Sequence, residues 1–89
     1  MPKFVIEREM PGVSKLPRDQ FRAASQKSSD AMERIGRIHW VQSYVTDDKI
    51  YCVYVAPDAE TVRRHAEQAG LPANKISQVR SLADATCAE

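Results

Sequence analysis

His39, Cys52 and His65 are three of the side chains in this sequence whose types bind transition metals. Imidazole and thiolate groups are the usual protein ligands of zinc, and they suit nickel as well. Two of the three lie within the stretch HWVQSYVTDDKIYCVYVAP, residues 39–57, which also contains the only tryptophan and all three tyrosines. Whether such residues can form one site depends on the faces of the elements that carry them.

The hydrophobic pattern divides the chain into six elements. β-branched and apolar residues predict strands, and apolar residues spaced three or four apart predict helices. The predicted elements are a strand over 3–9, a helix from Pro17 to its capping Gly36, two hairpin strands around a turn at 47–48, a helix capped by Asp58 and ended by Gly70, and a strand over 76–82. We expect residues 1–82 to form a single domain and residues 83–89 a polar tail.

The order of these elements predicts the fold class. Strand, helix, strand, strand, helix, strand in fewer than 90 residues is typical of an α+β, ferredoxin-like βαββαβ fold. In that fold a four-stranded antiparallel sheet carries both helices on one face. The other face would be an exposed apolar patch on a monomer. We therefore expect a homodimer that packs sheet against sheet.

The two faces of the hairpin can be assigned if Asp47 and Asp48 are the two loop residues, because this sets the register of every pair behind them. The set expected to face the helices is His39, Val41, Ser43, Val45, Ile50, Cys52, Tyr54 and Ala56. The set expected on the bare face includes Trp40, Gln42, Tyr44 and Tyr51, and Glu7 of the first strand joins it. Broad side chains with polar tips suit an interface or a ligand cleft, so these five residues are the predicted cleft or dimer face.

These faces restrict the metal site that the residue types suggest. His39 and Cys52 share a predicted face but lie four ladder positions apart, or roughly 13 Å along a strand. Ligands that must each reach a metal at about 2 Å cannot be so far apart within one subunit. Cys52 and His65 remain the candidate metal pair, because the second helix runs back along the strand and brings His65 near the level of Cys52. The alternatives are a histidine with a local hydrogen bond and a cysteine that acts as a small buried apolar residue.

Composition argues against several classes of partner. The 89 residues include 13 basic and 12 acidic side chains, and the basic ones form no stripe, so we expect no nucleic-acid binding. No apolar run approaches the roughly 18 residues of a membrane span, and the N-terminus lacks a signal-peptide core, so we expect no membrane association and a cytoplasmic protein. Three glycines are too few for a nucleotide cradle, and the two cysteines read as free thiols.

Four stretches that together span nearly the whole chain resemble a known family, namely Phe4-Val5-Ile6-Glu7-Arg8, the hairpin from Trp40 to Tyr54, Ala56-Pro57, and Arg64-His65-Ala66 with Gly70. In these residues the chain resembles the bacterial family called domain of unknown function 4242. The resemblance implies a ferredoxin-like dimer. At least one relative is described as nickel-binding, which implies nickel or another divalent metal as the cofactor. That relative is aligned with histidines on the bare face where this chain has Glu7 and Gln42, and oxygen ligands bind nickel less well than imidazole does.

Two functions follow as expectations. The first is a small cytoplasmic homodimeric binding protein that holds a divalent metal or a small ligand in or near the cleft between the two sheet faces. The alternative is a dimeric α+β barrel enzyme that acts on a small organic molecule, with Glu7 or His65 as acid or base. The resemblance supplies no established catalytic activity, so the binding protein ranks first. A dimer without any ligand is a third possibility.

Overall fold

The computed structural model describes residues 1–88 of the chain. Its strands are β1 (Lys3–Glu9), β2 (His39–Val45), β3 (Lys49–Val55) and β4 (Lys75–Gln78), and its helices are α1 (Arg18–Ile35) and α2 (Ala59–Ala69). The strands pair antiparallel in the order β2-β3-β1-β4. This arrangement confirms the predicted ferredoxin-like βαββαβ fold. Within residues 1–88, neither helix combines the length and the apolar character that a membrane crossing requires.

The ends of both helices are set by the residues that predicted them. Gly36 and Gly70 follow α1 and α2 with φ of +80° and +68°, in the left-handed region that side chains disfavour. At the start of α2, the Oδ1 of Asp58 accepts a hydrogen bond from the backbone N–H of Thr61 at 2.8 Å. At the start of α1, Pro17 is the N-cap residue. The predicted boundaries of both helices are therefore confirmed, except that α1 begins at Arg18, one residue after the predicted first residue Pro17.

The last strand is shorter than predicted. The sequence predicted a strand over 76–82, whereas β4 ends at Gln78. The backbone N–H of Val79 donates to the carbonyl of Lys3 at 2.8 Å, and Lys3 is the first residue of β1. Residues 80–82 have no part of β1 left to pair with, so the length of β1 limits β4.

The core lies between the two central strands and α2. Phe4 and Ile6 of β1, Cys52 and Tyr54 of β3 and Val62 of α2 are each at most 5% exposed. α1 packs chiefly against α2. Strand β2 receives little cover from α1, since none of its side chains is buried. The side of β2 that points toward the helices is therefore open to a cavity.

One extra residue interrupts the pairing of β2 with β3. From the turn back to Gln42, which lies opposite Val53, the register is the one that the two-residue loop predicts. The register shifts between Trp40 and Gln42, and beyond the shift Trp40 lies opposite Tyr54. Val41 is therefore the additional residue of a β-bulge, which opposes two residues of one strand to one of the other.

The bulge reverses the faces of the two residues that precede it. His39 lies opposite Val55, on the side of the sheet away from the helices, and Trp40 lies on the helix side. The predicted faces of both residues are wrong, because the prediction assumed strict alternation through Val41. A one-residue insertion moves every side chain beyond it to the opposite face.

A buried hydrogen bond links the two helices. His65 of α2 is fully buried, and its Nε2 lies 3.0 Å from the carbonyl oxygen of Ser28 in α1. Because a carbonyl only accepts, Nε2 carries the proton, and the buried Nδ1 has no hydrogen-bond partner. Burial lowers the pKa of His65 more than the bond to Ser28 raises it. The folded protein therefore holds His65 in its neutral form.

We expect the protein to lose stability as the pH falls below about 6.5, the usual pKa of histidine. The lowered pKa means that the unfolded state binds a proton that folded His65 resists, so the free energy of unfolding decreases toward acid. This contribution is fully present above the unfolded pKa and is lost below it. Chemical denaturation between about pH 7.5 and pH 5 will measure it, with a slope from this group of at most about 1.4 kcal/mol per pH unit.

The matched variants are substitutions of the two histidines of the chain. His65→Gln removes the titrating group but keeps a donor for Ser28, so its loss of stability toward acid should be smaller than that of the unmodified protein. His39→Gln changes an exposed histidine and should retain the original pH dependence. Identical pH dependence in His65→Gln and the unmodified protein would contradict the account.

Candidate functional site

The open face is the side of the sheet that neither helix covers. It carries Lys3, Val5, Glu7 and Glu9 of β1, Lys49, Tyr51, Val53 and Val55 of β3, His39, Gln42 and Tyr44 of β2, and Lys75 and Ser77 of β4. On this face Val5, Glu7 and the residues of β3 are half-buried, whereas those of β2 and the two ends of β1 are exposed. The open face thus has a centre of valines with polar side chains around it.

Four of the five predicted cleft residues lie together on the open face. Glu7 is opposite Tyr51, and Tyr51 is opposite Tyr44 on the next strand. The Nε2 of Gln42 donates a hydrogen bond to the hydroxyl of Tyr44. The fifth residue, Trp40, lies on the helix side because of the bulge. The role of the four in ligand binding stays a prediction.

Glu7 lies between two lysines of the open face, and Glu9 is the next carboxylate along β1 on the same face. The Nζ of Lys49 lies 3.9 Å from the Oε1 of Glu7, and Lys75 is the partner of Glu7 on β4. About a third of the Glu7 side chain is exposed. An ion pair this exposed contributes at most about 1 kcal/mol, so it leaves the carboxylate available to another partner.

The sulphur of Cys52 faces a buried guanidinium rather than an open metal site. Arg8 is 1% exposed, and its Nε donates to the Sγ of Cys52 at 3.4 Å. Its Nη1 donates to the carbonyl of Pro72 at 2.6 Å, and its Nη2 donates to the hydroxyl of Tyr54 at 3.3 Å. A positive charge held against the sulphur repels a metal cation. The geometry therefore does not favour Cys52 as a metal ligand.

His65 does not complete a metal site with Cys52. Its Nε2 is occupied by the bond to Ser28, which is the local hydrogen bond that the sequence left as an alternative. Among residues 1–88, no group of three or more His, Cys, Asp or Glu side chains is placed to hold a metal ion. His65 is also fully buried on the helix side. Of the two residues that the sequence suggested as acid or base, Glu7 and His65, Glu7 is therefore the one that lies on the open face.

Arg8 is the residue that the sequence reasoning missed. The sequence did indicate that Arg8 is buried, because the alternation of β1 puts it on the same side as the apolar Phe4 and Ile6. Burial raises the pKa of the Tyr54 hydroxyl, so the group that receives the Nη2 bond is neutral. The guanidinium carbon also lies 5.9 Å from the centre of the Tyr54 ring, within reach of a cation–π contact.

Comparison with known proteins places the chain in a family. The family model described as "Nickel responsive protein SCO4226-like" matches residues 4–79. The crystal structure of SCO4226 from Streptomyces coelicolor A3(2) superimposes with a TM-score of 0.75 at 31% identity, over 91% of this chain and 99% of that one. No curated protein matches the chain. The chain belongs to the SCO4226-like family of nickel-responsive proteins.

Proposed function

We propose that the protein is a homodimer that binds a divalent metal ion of the nickel type between the open faces of its two subunits. The family is described as nickel responsive, which supports the choice of metal. The observation that carries the proposal is the bulge at Val41, because it turns His39 onto the open face that also presents Glu7. His65 is buried, so His39 is the histidine that can reach a ligand from solvent.

Pairing of the open faces is supported by their composition. Val5, Val53 and Val55 lie side by side on β1 and β3, and Tyr51 extends the same apolar surface. A bare surface of this kind is unfavourable in water and marks an interaction surface. A second copy related by a two-fold axis presents the same surface, so each subunit covers the other.

A metal site on this face needs donors from both subunits. His39 is level with Val55 and Glu7 with Tyr51, four residues along β3, so the two donors of one subunit are at least roughly 13 Å apart. Each ligand must reach the metal at about 2 Å. A two-fold pair supplies two imidazoles and two carboxylates on facing surfaces, and nickel and zinc accept both ligand types. Metal binding and dimerisation should therefore stabilise each other.

We expect the protein to run as a dimer in light scattering coupled to gel filtration, at twice the 10.0 kDa mass of the chain. Val53→Lys places a charge at the centre of the open face and should give a monomer, because a buried lysine without a partner is costly. Val45→Lys is the matched control, since Val45 is exposed on the helix side of the sheet. It should leave the dimer intact. A monomeric unmodified protein, or a dimeric Val53→Lys, refutes pairing through this face.

We expect nickel titration by calorimetry to show binding that depends on His39. Loss of a residue that only supports a metal ligand typically lowers metal affinity by roughly 10–100-fold. His39 is proposed as a direct ligand, so His39→Ala should lower the nickel affinity by more than that. His65→Gln should bind nickel as the unmodified protein does, because His65 faces the helices. Metal analysis of protein purified without a histidine tag provides the second measurement.

The same titrations can contradict the proposal in two ways. If the unmodified protein binds no divalent ion, or if His39→Ala binds nickel unchanged, the open-face site does not exist. If His65→Gln alone abolishes binding, the metal lies on the helix side with Cys52, as the sequence first suggested. The monomeric Val53→Lys should bind no nickel, because one subunit lacks the full set of donors.

A further inference from the structure

A second candidate site lies on the opposite side of the sheet, in the cavity between α1 and the strands β2 and β3. We propose that this cavity binds a small organic carboxylate, of about the size of benzoate, whose carboxylate group is held by Arg8. The site is separate from the open face, so it does not depend on the proposed metal or on the dimer.

Arg8 is a buried positive charge, which favours a bound anion. It is 1% exposed, and its three hydrogen bonds go to a thiol sulphur, a backbone carbonyl and a neutral hydroxyl. The salt bridges among residues 1–88 do not include it. A guanidinium has five N–H donors, so one N–H on each terminal nitrogen is left without an acceptor among residues 1–88. A buried cation without a counter-charge is unfavourable, and a carboxylate that accepts both free N–H groups would neutralise it.

The cavity has the size and the walls for an apolar body attached to that carboxylate. Its volume is about 190 Å³, and Arg8 and Tyr54 line it together with the apolar Leu16, Phe21 and Trp40. A dry cavity of roughly 150 Å³ is known to hold benzene, so an aromatic ring fits this one. Trp40 is fixed, because its Nε1 donates to the Oγ of Ser43 at 2.8 Å. The indole and the phenyl ring of Phe21 offer flat surfaces for stacking.

The chemistry of the cavity also separates a carboxylate from other ligands. An inorganic anion would satisfy Arg8 but would leave the apolar walls unfilled. A neutral aromatic molecule would fill the walls but would leave the guanidinium without its counter-charge. Only a ligand with both parts uses both features, which is the arrangement typical of small-molecule sites.

Titration of the unmodified protein with benzoate and with benzamide tests the proposal without any substitution. The two probes have nearly the same shape and differ in charge. Trp40 is the only tryptophan, so its fluorescence reports the cavity directly, and calorimetry gives the stoichiometry. Benzoate should bind at one per chain and at least about tenfold more tightly than benzamide, because charge-assisted hydrogen bonds are stronger than neutral ones. Equal affinities, or no binding of benzoate at about 10 mM, overturn the proposal.

A pair of substitutions on α1 places the ligand in this cavity. Ala24 lines the cavity and is exposed, so Ala24→Trp should fill the space without disturbing the core and should abolish benzoate binding. Ala23→Trp, at the neighbouring exposed position outside the cavity, should bind benzoate as the unmodified protein does. Benzoate binding that survives in Ala24→Trp rules out this cavity. Binding should be unchanged in His39→Ala, which affects the other side of the sheet.

Discussion

The extra residue Val41 decides what each side of the sheet presents. Between the turn and Gln42 the two-residue loop alone determines which side chains face the helices. Beyond the bulge the assignment is reversed, so His39 joins the open face and Trp40 becomes a wall of the helix-side cavity. With strict alternation the open face would present an indole instead of an imidazole. Both proposed binding sites therefore depend on this one insertion.

The two sides of the sheet present groups that favour ligands of opposite charge. The open face presents the half-buried carboxylate of Glu7 and the exposed imidazole of His39, which are both groups that bind a cation. On the helix side, Arg8 is the one charged residue among the described residues that line the cavity, and its buried guanidinium excludes cations and favours an anion. This division explains why Cys52 does not fit a metal even though its residue type suggests one. The thiol lies on the side of the sheet that Arg8 dominates.

Local signals in the sequence predicted most of the fold. Gly36, Gly70 and Asp58 act on the few residues beside them, so the ends of the helices could be read directly. The end of β4 could not be predicted from its own residues, because it depends on where its pairing partner β1 begins. The burial of His65 could not be read either, since Ser28 reaches it only through the packing of two helices.

The predicted faces of His39 and Trp40 were wrong for a different reason. Trp40-Val41-Gln42 contains no glycine or turn residue that would mark a bulge, so the sequence is compatible with regular alternation. This one additional residue exchanges the faces of His39 and Trp40, so His39 lies on the open face and Trp40 lies on the helix side. By contrast, the placement of Glu7, with no irregularity in its strand, followed directly from alternation.

The most direct test of the account is a nuclear Overhauser spectrum of the protein in solution, assigned at the side chains of Trp40 and His39. The bulge predicts cross-peaks from the Trp40 indole to Ser43 and to the Tyr54 ring, and from the His39 ring to Val55. Cross-peaks from the indole to the methyl groups of Val55, which would lie opposite Trp40 on the open face if the register continued unchanged from Gln42, would show that the strand alternates without a bulge and would contradict the account.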